Sequence, residues 1–400
     1  MPEKFTKPFT QQEGIDEATI ARVGEILRSG RLHRYNTVEG EISEAALLER
    51  EFADWQGADY ALACSSGGYA LHVALRAAGL KAGDKVLANA YTLAPVPGAI
   101  HNAGGVPVFV EIDEQWHIDI GDLANKAESS GAKFLMLSHM RGHIADMDAV
   151  CAICEKHNIL LVEDCAHTMG AKWKGRRSGN FGSVAAFSAQ TYKHINSGEG
   201  GLLTTNDPLI AARAIVHSGS YMLYASHGAA PSEEHFAQVK LETPNYSGRM
   251  DNIRAAILRS QLAGLEDNVK RWNDRYQALE TALAINPHIT VSKRKQHEAY
   301  VGSSIQFRPN LQEHQFEQLI ANCADRGVDV KWFGAAEPKA FTSRYDSWEY
   351  LGEQPTLPQT LKVLANTCDI RVPLTFDLED CKLVGEIVSE EIDKLAQQSI

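Results

Sequence analysis

No apolar run in this sequence approaches the roughly 20 residues that a membrane-spanning helix needs. Basic charge is short as well. There are 39 Lys and Arg against 51 Asp and Glu, a formal net charge of −12, and no block of consecutive basic residues offsets it. Such a surface repels phosphate backbones and anionic lipid, which argues against nucleic acid or a membrane as the main partner; a small anionic ligand held by local groups remains possible. The opening Met1-Pro-Glu-Lys-Phe5 lacks the charged-then-apolar pattern of a signal peptide, and there is no internal repeat or low-complexity tract. The cysteines number only seven, an odd count, and most lie in apolar segments, which points to a reduced, cytoplasmic compartment. Cys151 and Cys154 have the spacing of a redox or metal motif. They fall in Met147-Asp-Ala-Val-Cys-Ala-Ile-Cys-Glu-Lys156, an amphipathic helix pattern, and read as buried thiols.

What is present is ordinary for a globular chain: 44% apolar and 22% charged residues. Its 400 residues are long for one core and short for three, so two domains are expected. Short apolar runs at Tyr60–Cys64, Lys85–Asn89, Val106–Val110, Lys133–Ser138, Ile159–Glu163, Val184–Ser188 and Gly201–Thr205 read as strands. Helix-period stretches such as Tyr69–Ala78 and Met147–His157 sit between them. This alternation predicts an α/β domain, a mainly parallel seven-stranded sheet covered by helices on both faces. Residues 251–283 read as one long helix linking it to a smaller α+β domain. That second domain would hold strand-like Val301–Phe307 and Val328–Trp332, a helix around His314–Arg326 and a closing helix at Leu378–Gln397. We place the boundary between residues 1–270 and 271–400.

Ligands of parallel sheets bind beyond the carboxyl ends of the strands, so chemistry is sought there. Val162-Glu-Asp-Cys-Ala-His-Thr-Met-Gly170 puts Asp164 at a buried strand end and His167 three residues on. Phe187-Ser-Ala-Gln-Thr-Tyr-Lys-His-Ile-Asn-Ser-Gly-Glu-Gly-Gly201 puts Lys193 in a glycine-flanked loop, five residues after Ser188. A lysine beyond one strand end, opposite an aspartate, suits a Schiff base to an aldehyde cofactor, with the carboxylate keeping a pyridine nitrogen protonated. Ala63-Cys-Ser-Ser-Gly-Gly-Tyr-Ala-Leu-His72 runs from a strand end into a helix. The free amides of Gly67 and Gly68, the helix dipole and the Ser66 hydroxyl would cradle an anion there. Glu163 alternates with Asp164 along the strand, faces the other way and reads as structural. His139 and His143, followed by Asp146 and Asp148, resemble a metal site, but Gly142 breaks the helix that would align the two imidazoles. His194 is adjacent to Lys193 and is expected to point away from it.

These segments, together with Gly30-Arg-Leu32, Leu48-Glu-Arg-Glu-Phe52, Gly83-Asp-Lys-Val86, Gly105-Val-Pro-Val-Phe-Val-Glu-Ile-Asp113, Gly142-His-Ile-Ala-Asp-Met-Asp148 and Ser197-Gly-Glu-Gly-Gly201, resemble the DegT/DnrJ/EryC1/StrS family over nearly the whole chain. That family consists of pyridoxal 5'-phosphate aminotransferases of the aspartate-aminotransferase fold (type I), acting mostly on keto-sugars and cyclitols. The resemblance implies that Lys193 forms the Schiff base and Asp164 pairs with the pyridinium nitrogen. His167 matches the position beside the cofactor's phenolic oxygen, and Ser66, Gly67 and Ser188 match phosphate ligands. Gly68 stands where the family usually has threonine, leaving only its amide to donate. The ring-stacking aromatic is replaced within Tyr91-Thr-Leu93, so that Leu93 would cap the ring and Tyr91 lie behind it. The family commonly lends an Asn to the phosphate of a partner subunit. Here Asn245 or Ser247, in Asn245-Tyr-Ser-Gly-Arg249, stands in reach of that role.

The resemblance implies a dimeric transaminase cycling between pyridoxal and pyridoxamine phosphate, with glutamate or a similar donor and a keto-sugar, cyclitol ketone or related acceptor. Sugar dehydration is the alternative within the family, but dehydrating members typically carry histidine where Lys193 stands. A regulatory protein that does no chemistry is the alternative outside catalysis, and no helix-turn-helix with a basic face supports it. His217-Ser-Gly-Ser-Tyr-Met-Leu-Tyr-Ala-Ser-His227 is a candidate acceptor-recognition loop, or else interface packing. Ser138-His-Met-Arg-Gly-His143 carries a histidine and an arginine where many relatives have an aromatic and a Gln, which hints at a cyclitol or otherwise unusual acceptor.

Overall fold

The computed structural model describes residues 3–339 and 341–398. Seven strands form the main sheet: β1 (Tyr60–Cys64), β2 (Lys85–Asn89), β3 (Val106–Val110), β4 (Phe134–Ser138), β5 (Leu160–Asp164), β6 (Val184–Ser188) and β7 (Gly201–Thr205). Their order is β1-β7-β6-β5-β4-β2-β3. Pairs among β2 to β6 are parallel, and β7 runs antiparallel to both neighbours. This is the expected mainly parallel sheet, with β4 and β5 each starting one residue later than their sequence runs.

Strand alternation splits the core in two. Leu87, Leu135, Leu137, Leu161, Ala185 and Phe187 join one buried cluster. Their neighbours Val86, Ala88, Met136, Val162, Val184 and Ala186 join the other. Each fully buried Leu, Val or Phe is worth about 1.5–3 kcal/mol of transfer free energy, so register is strongly held. The same alternation sends Ser138, Asp164 and Ser188, at the carboxyl ends of β4, β5 and β6, to the face covered by helix α1 (Gly67–Ala77). Glu163 goes to the opposite face.

The helical stretch after residue 251 is two helices, α2 (Asn252–Ala263) and α3 (Leu265–Ala284), separated at Gly264. A separate four-stranded antiparallel sheet follows, of β8 (Ile289–Val291), β9 (Ser304–Pro309), β10 (Lys331–Trp332) and β11 (Cys368–Arg371), in the order β8-β9-β11-β10. β9 begins three residues later than its apolar run. The Asn273 side chain donates to Tyr300 O (2.9 Å) and accepts from Gly302 N (2.8 Å), taking those groups out of the ladder. The closing helix spans Leu378–Gln397 as expected. Phe5 and Phe9 cross to this core and meet Phe376 edge-on, with ring centroids 4.8 and 4.9 Å from it. Among the described residues no helix is long and apolar enough to cross a membrane.

Candidate active site

The first turn of α1 is set by Ser66. Its hydroxyl caps the helix by accepting from Tyr69 N (3.1 Å), which leaves its own proton free to donate outward. Gly67 and Gly68 take the first two helical positions, whose amides have no intrahelical carbonyl. Gly67 must be glycine, because a Cβ there would lie 2.6 Å from the Ser188 Cβ. This close approach brings the helix N-terminus onto the end of β6.

A cavity of about 580 Å³ opens over these strand ends. Ser66, Gly67, Gly68, Leu93, Asp164, His167, Ser188 and Lys193 are among the residues that line it. Asp164 is fixed by two donors, Ser138 Oγ to Oδ2 (2.8 Å) and Ala166 N to Oδ1 (3.1 Å). Lys193 Nζ lies 2.8 Å from His167 Nε2. The Arg141 amide donates to His167 Nδ1 (3.3 Å), so a neutral ring carries its proton on Nε2 and offers it to the lysine nitrogen. Burial, then the charges of Lys193 and Arg141, holds the His167 imidazole well below its ordinary pKa, in keeping with that neutral form. Burial is also the main cause that lowers Lys193 to about 7, with Arg141 pushing the same way and Asp164 opposing.

Most of the expected residues therefore share one wall, but three do not. Tyr91 is fully buried beside Phe333 (centroids 5.1 Å apart) in a cluster against which Leu93 packs. Asn245 and Ser247 are exposed, outside this chain's own cavity. Their segment is tied down nearby: Ser65 N donates to Gly248 O (2.7 Å), Gly248 N to Ser218 O (2.9 Å), and the Tyr69 hydroxyl to Tyr246 O. The loop from His217 to His227 also stays out of the cavity. Tyr221 and Met222 are exposed, Tyr224 stacks on Phe236 at 4.1 Å, and buried His227 joins Glu49 and Tyr35.

The other histidines have separate structural partners. His139 Nε2 bonds Glu163 Oε2 (3.1 Å), whose two oxygens also accept from Gly179, Phe181 and Gly182 amides. His139, Glu163 and Cys165 donor atoms lie within 4.8 Å of one another, yet those amides already use the carboxylate. His143 Nε2 turns instead to Gln306 Oε1 (2.6 Å). Asp146 caps the helix Met147–His157, and Asp148 binds Trp173 and Lys174. His194 points away from Lys193, to Ser303 Oγ (3.1 Å) and the edge of Trp272.

Sequence reasoning missed three residues near Lys193 and a fourth, Gln306, that bonds one of them. Lys331, Asp369 and Arg371 come from β10 and β11, and Gln306 from β9. Lys331, Asp369 and Arg371 share a smaller cavity with Arg141 and Lys193. The signal that could have found them is the arginine within the Asp369-Ile-Arg371 run, a charge in an otherwise buried strand.

Known proteins resemble the chain in both sequence and fold. The model of the DegT/DnrJ/EryC1/StrS aminotransferase family matches residues 13–389. GDP-perosamine synthase of Escherichia coli O157:H7 is 34% identical over 225 residues, 56% of this chain and 58% of that protein. L-glutamine:2-deoxy-scyllo-inosose aminotransferase of Streptomyces kanamyceticus is 31% identical over 285 residues, 70% of this chain and 66% of that one. The crystal structure of DesV from S. venezuelae superposes with a TM-score of 0.78 at 27% identity, covering 94% of each chain. Against GDP-perosamine synthase and two further curated relatives, the match spans only 58% to 65% of their length. The fold is that of the pyridoxal-phosphate aminotransferases, and the chain belongs to the DegT/DnrJ/EryC1/StrS aminotransferase family.

Proposed function

We propose that this protein is a pyridoxal-phosphate aminotransferase that moves an amino group from an amino-acid donor such as glutamate to a keto-sugar, cyclitol ketone or related carbonyl acceptor. One observation carries the reading. A lysine with a lowered pKa, a fixed carboxylate and a glycine turn at a helix N-terminus line the same cavity.

The residues fit the cofactor. The open amides of Gly67 and Gly68 with the Ser66 and Ser188 hydroxyls suit its phosphate. Asp164 suits its ring nitrogen, and Leu93 offers an apolar contact for the ring. When bound, pyridoxal phosphate supplies an aldehyde that condenses with amines and a ring that takes up the electron pair of a broken Cα–H bond. The chain's own groups do the rest. Lys193, with a sizeable neutral fraction near pH 7, can attack as a nucleophile and afterwards carry the proton from the substrate carbon. His167 orients it through Nε2. Asp164, steadied by Ser138 and Ala166, keeps a positive charge on the ring favourable.

A homodimer is supported by the exposed Tyr221, Met222, Leu241 and Tyr246, beside the segment that carries Asn245 and Ser247. Either of these two would then serve the partner's phosphate site. Seven free cysteines accord with a cytoplasmic setting. A boundary near residue 270 is supported by α3, whose Leu265 and Trp272 pack in the sheet core while Tyr276, Leu279 and Leu283 pack in the C-terminal one.

Borohydride reduction of the cofactor-saturated protein, followed by peptide mapping, should place a pyridoxyl tag on Lys193. Lys193→Ala should still bind the cofactor but transfer amino groups roughly 10²–10⁴-fold more slowly, or not at all. A tag on any other lysine would overturn the proposal.

A further inference from the structure

The loop that carries Lys193 borders more than the main cavity. A further cavity of about 190 Å³ reaches it, lined by Lys193, His194, Asn196, Ser303 and the N-terminal residues from Gln12 to Asp16. Backbone bonds close the loop at its ends, Thr191 N to Gly198 O (3.0 Å) and Ser197 N to Ala189 O (3.1 Å). Side chains hold its centre. Ile195 is buried in the sheet core, and the Gln261 amide clamps Asn196 by accepting from its N (3.0 Å) and donating to its O (2.7 Å). The residues on either side of the lysine reach the four-stranded sheet. Tyr192 lies under Arg371, whose guanidinium carbon is 3.4 Å from its ring centre, and His194 Nε2 lies 3.1 Å from Ser303 Oγ.

His194 is buried, and among the described residues its Nδ1 has no hydrogen-bond partner. Ser303 and the edge of Trp272 (centroids 5.1 Å apart) are therefore what fix the ring. Ser303 is fixed in turn, since its carbonyl accepts from Val372 N (2.9 Å), just past β11, and the next residue opens β9. Burial, then the charge of Lys193, pushes the His194 imidazole down to about 3. The ring thus bonds Ser303 as a neutral group and adds no charge beside the lysine.

We propose that His194 is a positioning residue: through Ser303 it fastens the lysine loop to the four-stranded sheet and keeps water in the further cavity away from the Lys193 nitrogen. The role deepens the aminotransferase reading and rests on it for what Lys193 does with a cofactor. An enclosed ammonium gives up its proton early because water is kept from it, and burial is the first cause of the lowered Lys193 value. A loop freed at residue 194 would let water reach the ammonium, and the lysine would keep its proton to higher pH. A change at residue 194 or 303 alters none of the charged groups that face Lys193, namely Asp164, Arg141 and Arg371, with His167 at 2.8 Å. Glu199 and Lys339 border the main cavity, and Lys331 and Asp369 the smaller one. Across the further cavity Glu13 is spent on Arg271 (2.9 Å) and Asp16 on Thr19 N (2.9 Å).

Cofactor-free protein is labelled with acetic anhydride between roughly pH 5 and pH 10, and acetylation of the Lys193 peptide is followed by mass spectrometry. The midpoint in the unaltered protein should lie at about 7. His194→Phe, which keeps a ring against Trp272, and Ser303→Ala should each move it upward. Labelling at roughly pH 6, relative to each variant's own high-pH plateau, should then slow about threefold or more. His194→Gln, whose amide can bond Ser303, should restore most of the unaltered midpoint, and the double variant should shift no further than either single one. If His194→Phe fails to fold, Ser303→Ala decides alone. An unchanged midpoint, even with a lower plateau, marks a merely structural role and overturns the proposal. Additive shifts in the double variant, or a Gln variant indistinguishable from Phe, overturn it too. Protein that shows the expected midpoints but no absorbance change with pyridoxal phosphate overturns the aminotransferase reading and leaves the positioning role standing.

Discussion

An ordinary lysine is almost wholly protonated at neutral pH and a poor nucleophile there. Lys193 escapes this because its ammonium is enclosed, lies near Arg141 and faces the Nε2–H of His167. The predicted consequence is a pH profile. In cofactor-free protein the rate of pyridoxal-phosphate uptake should rise through pH of about 7 and then level, when followed by absorbance in a stopped-flow instrument. A midpoint near the ordinary 10.5 would contradict the site as described. Linkage gives the matching sign for stability. Between 10.5 and about 7 the unfolded chain takes a proton that folded Lys193 refuses, so this group costs stability as pH falls through that window. Lys193, Asp164 and His167 were legible in the sequence because parallel strands display chemistry at their carboxyl ends. Arg371, Asp369 and Gln306 were not. They lie on strands of the four-stranded sheet, and only tertiary packing brings those strands to the lysine.

At the level of elements, the contact between α1 and the end of β6 has no slack. Gly67→Ala would force a Cβ to within 2.6 Å of the Ser188 Cβ, whereas the same change at Gly68 meets only Pro95 Cβ at 3.8 Å. The first should cost about 1–3 kcal/mol in urea unfolding and weaken cofactor binding, and the second should be nearly neutral in stability. Equal behaviour of the two variants would contradict the contact. The elements of the main sheet could be read from sequence because each strand is a short apolar run between turn residues and all but edge strand β3 are largely buried on both faces. The break at Gly264 could not, since helical periodicity continues on both sides of it. The late start of β9 was hidden too, because Asn273, far along the chain, takes up the polar groups around Gly302.

On the scale of the whole molecule, the chain closes on itself. Phe5 and Phe9 carry no periodicity that would mark them as core, yet they complete the C-terminal cluster against Phe376. Phe9→Ala should therefore destabilise the protein by about 3 kcal/mol or more, measured by urea unfolding followed at the tryptophans. A stability loss within error of zero would show that this end is dispensable. A division of the chain into consecutive parts overlooks this crossing, because packing need not respect chain order. The sheet has the same property. Edge strand β1 takes its place in the sheet through β7, which is made much later and inserts between β1 and β6. On a ribosome, residues 60–64 emerge long before residues 201–205 exist, so the nascent chain must carry an unmatched apolar strand through most of the domain's synthesis, when chaperones have most to hold.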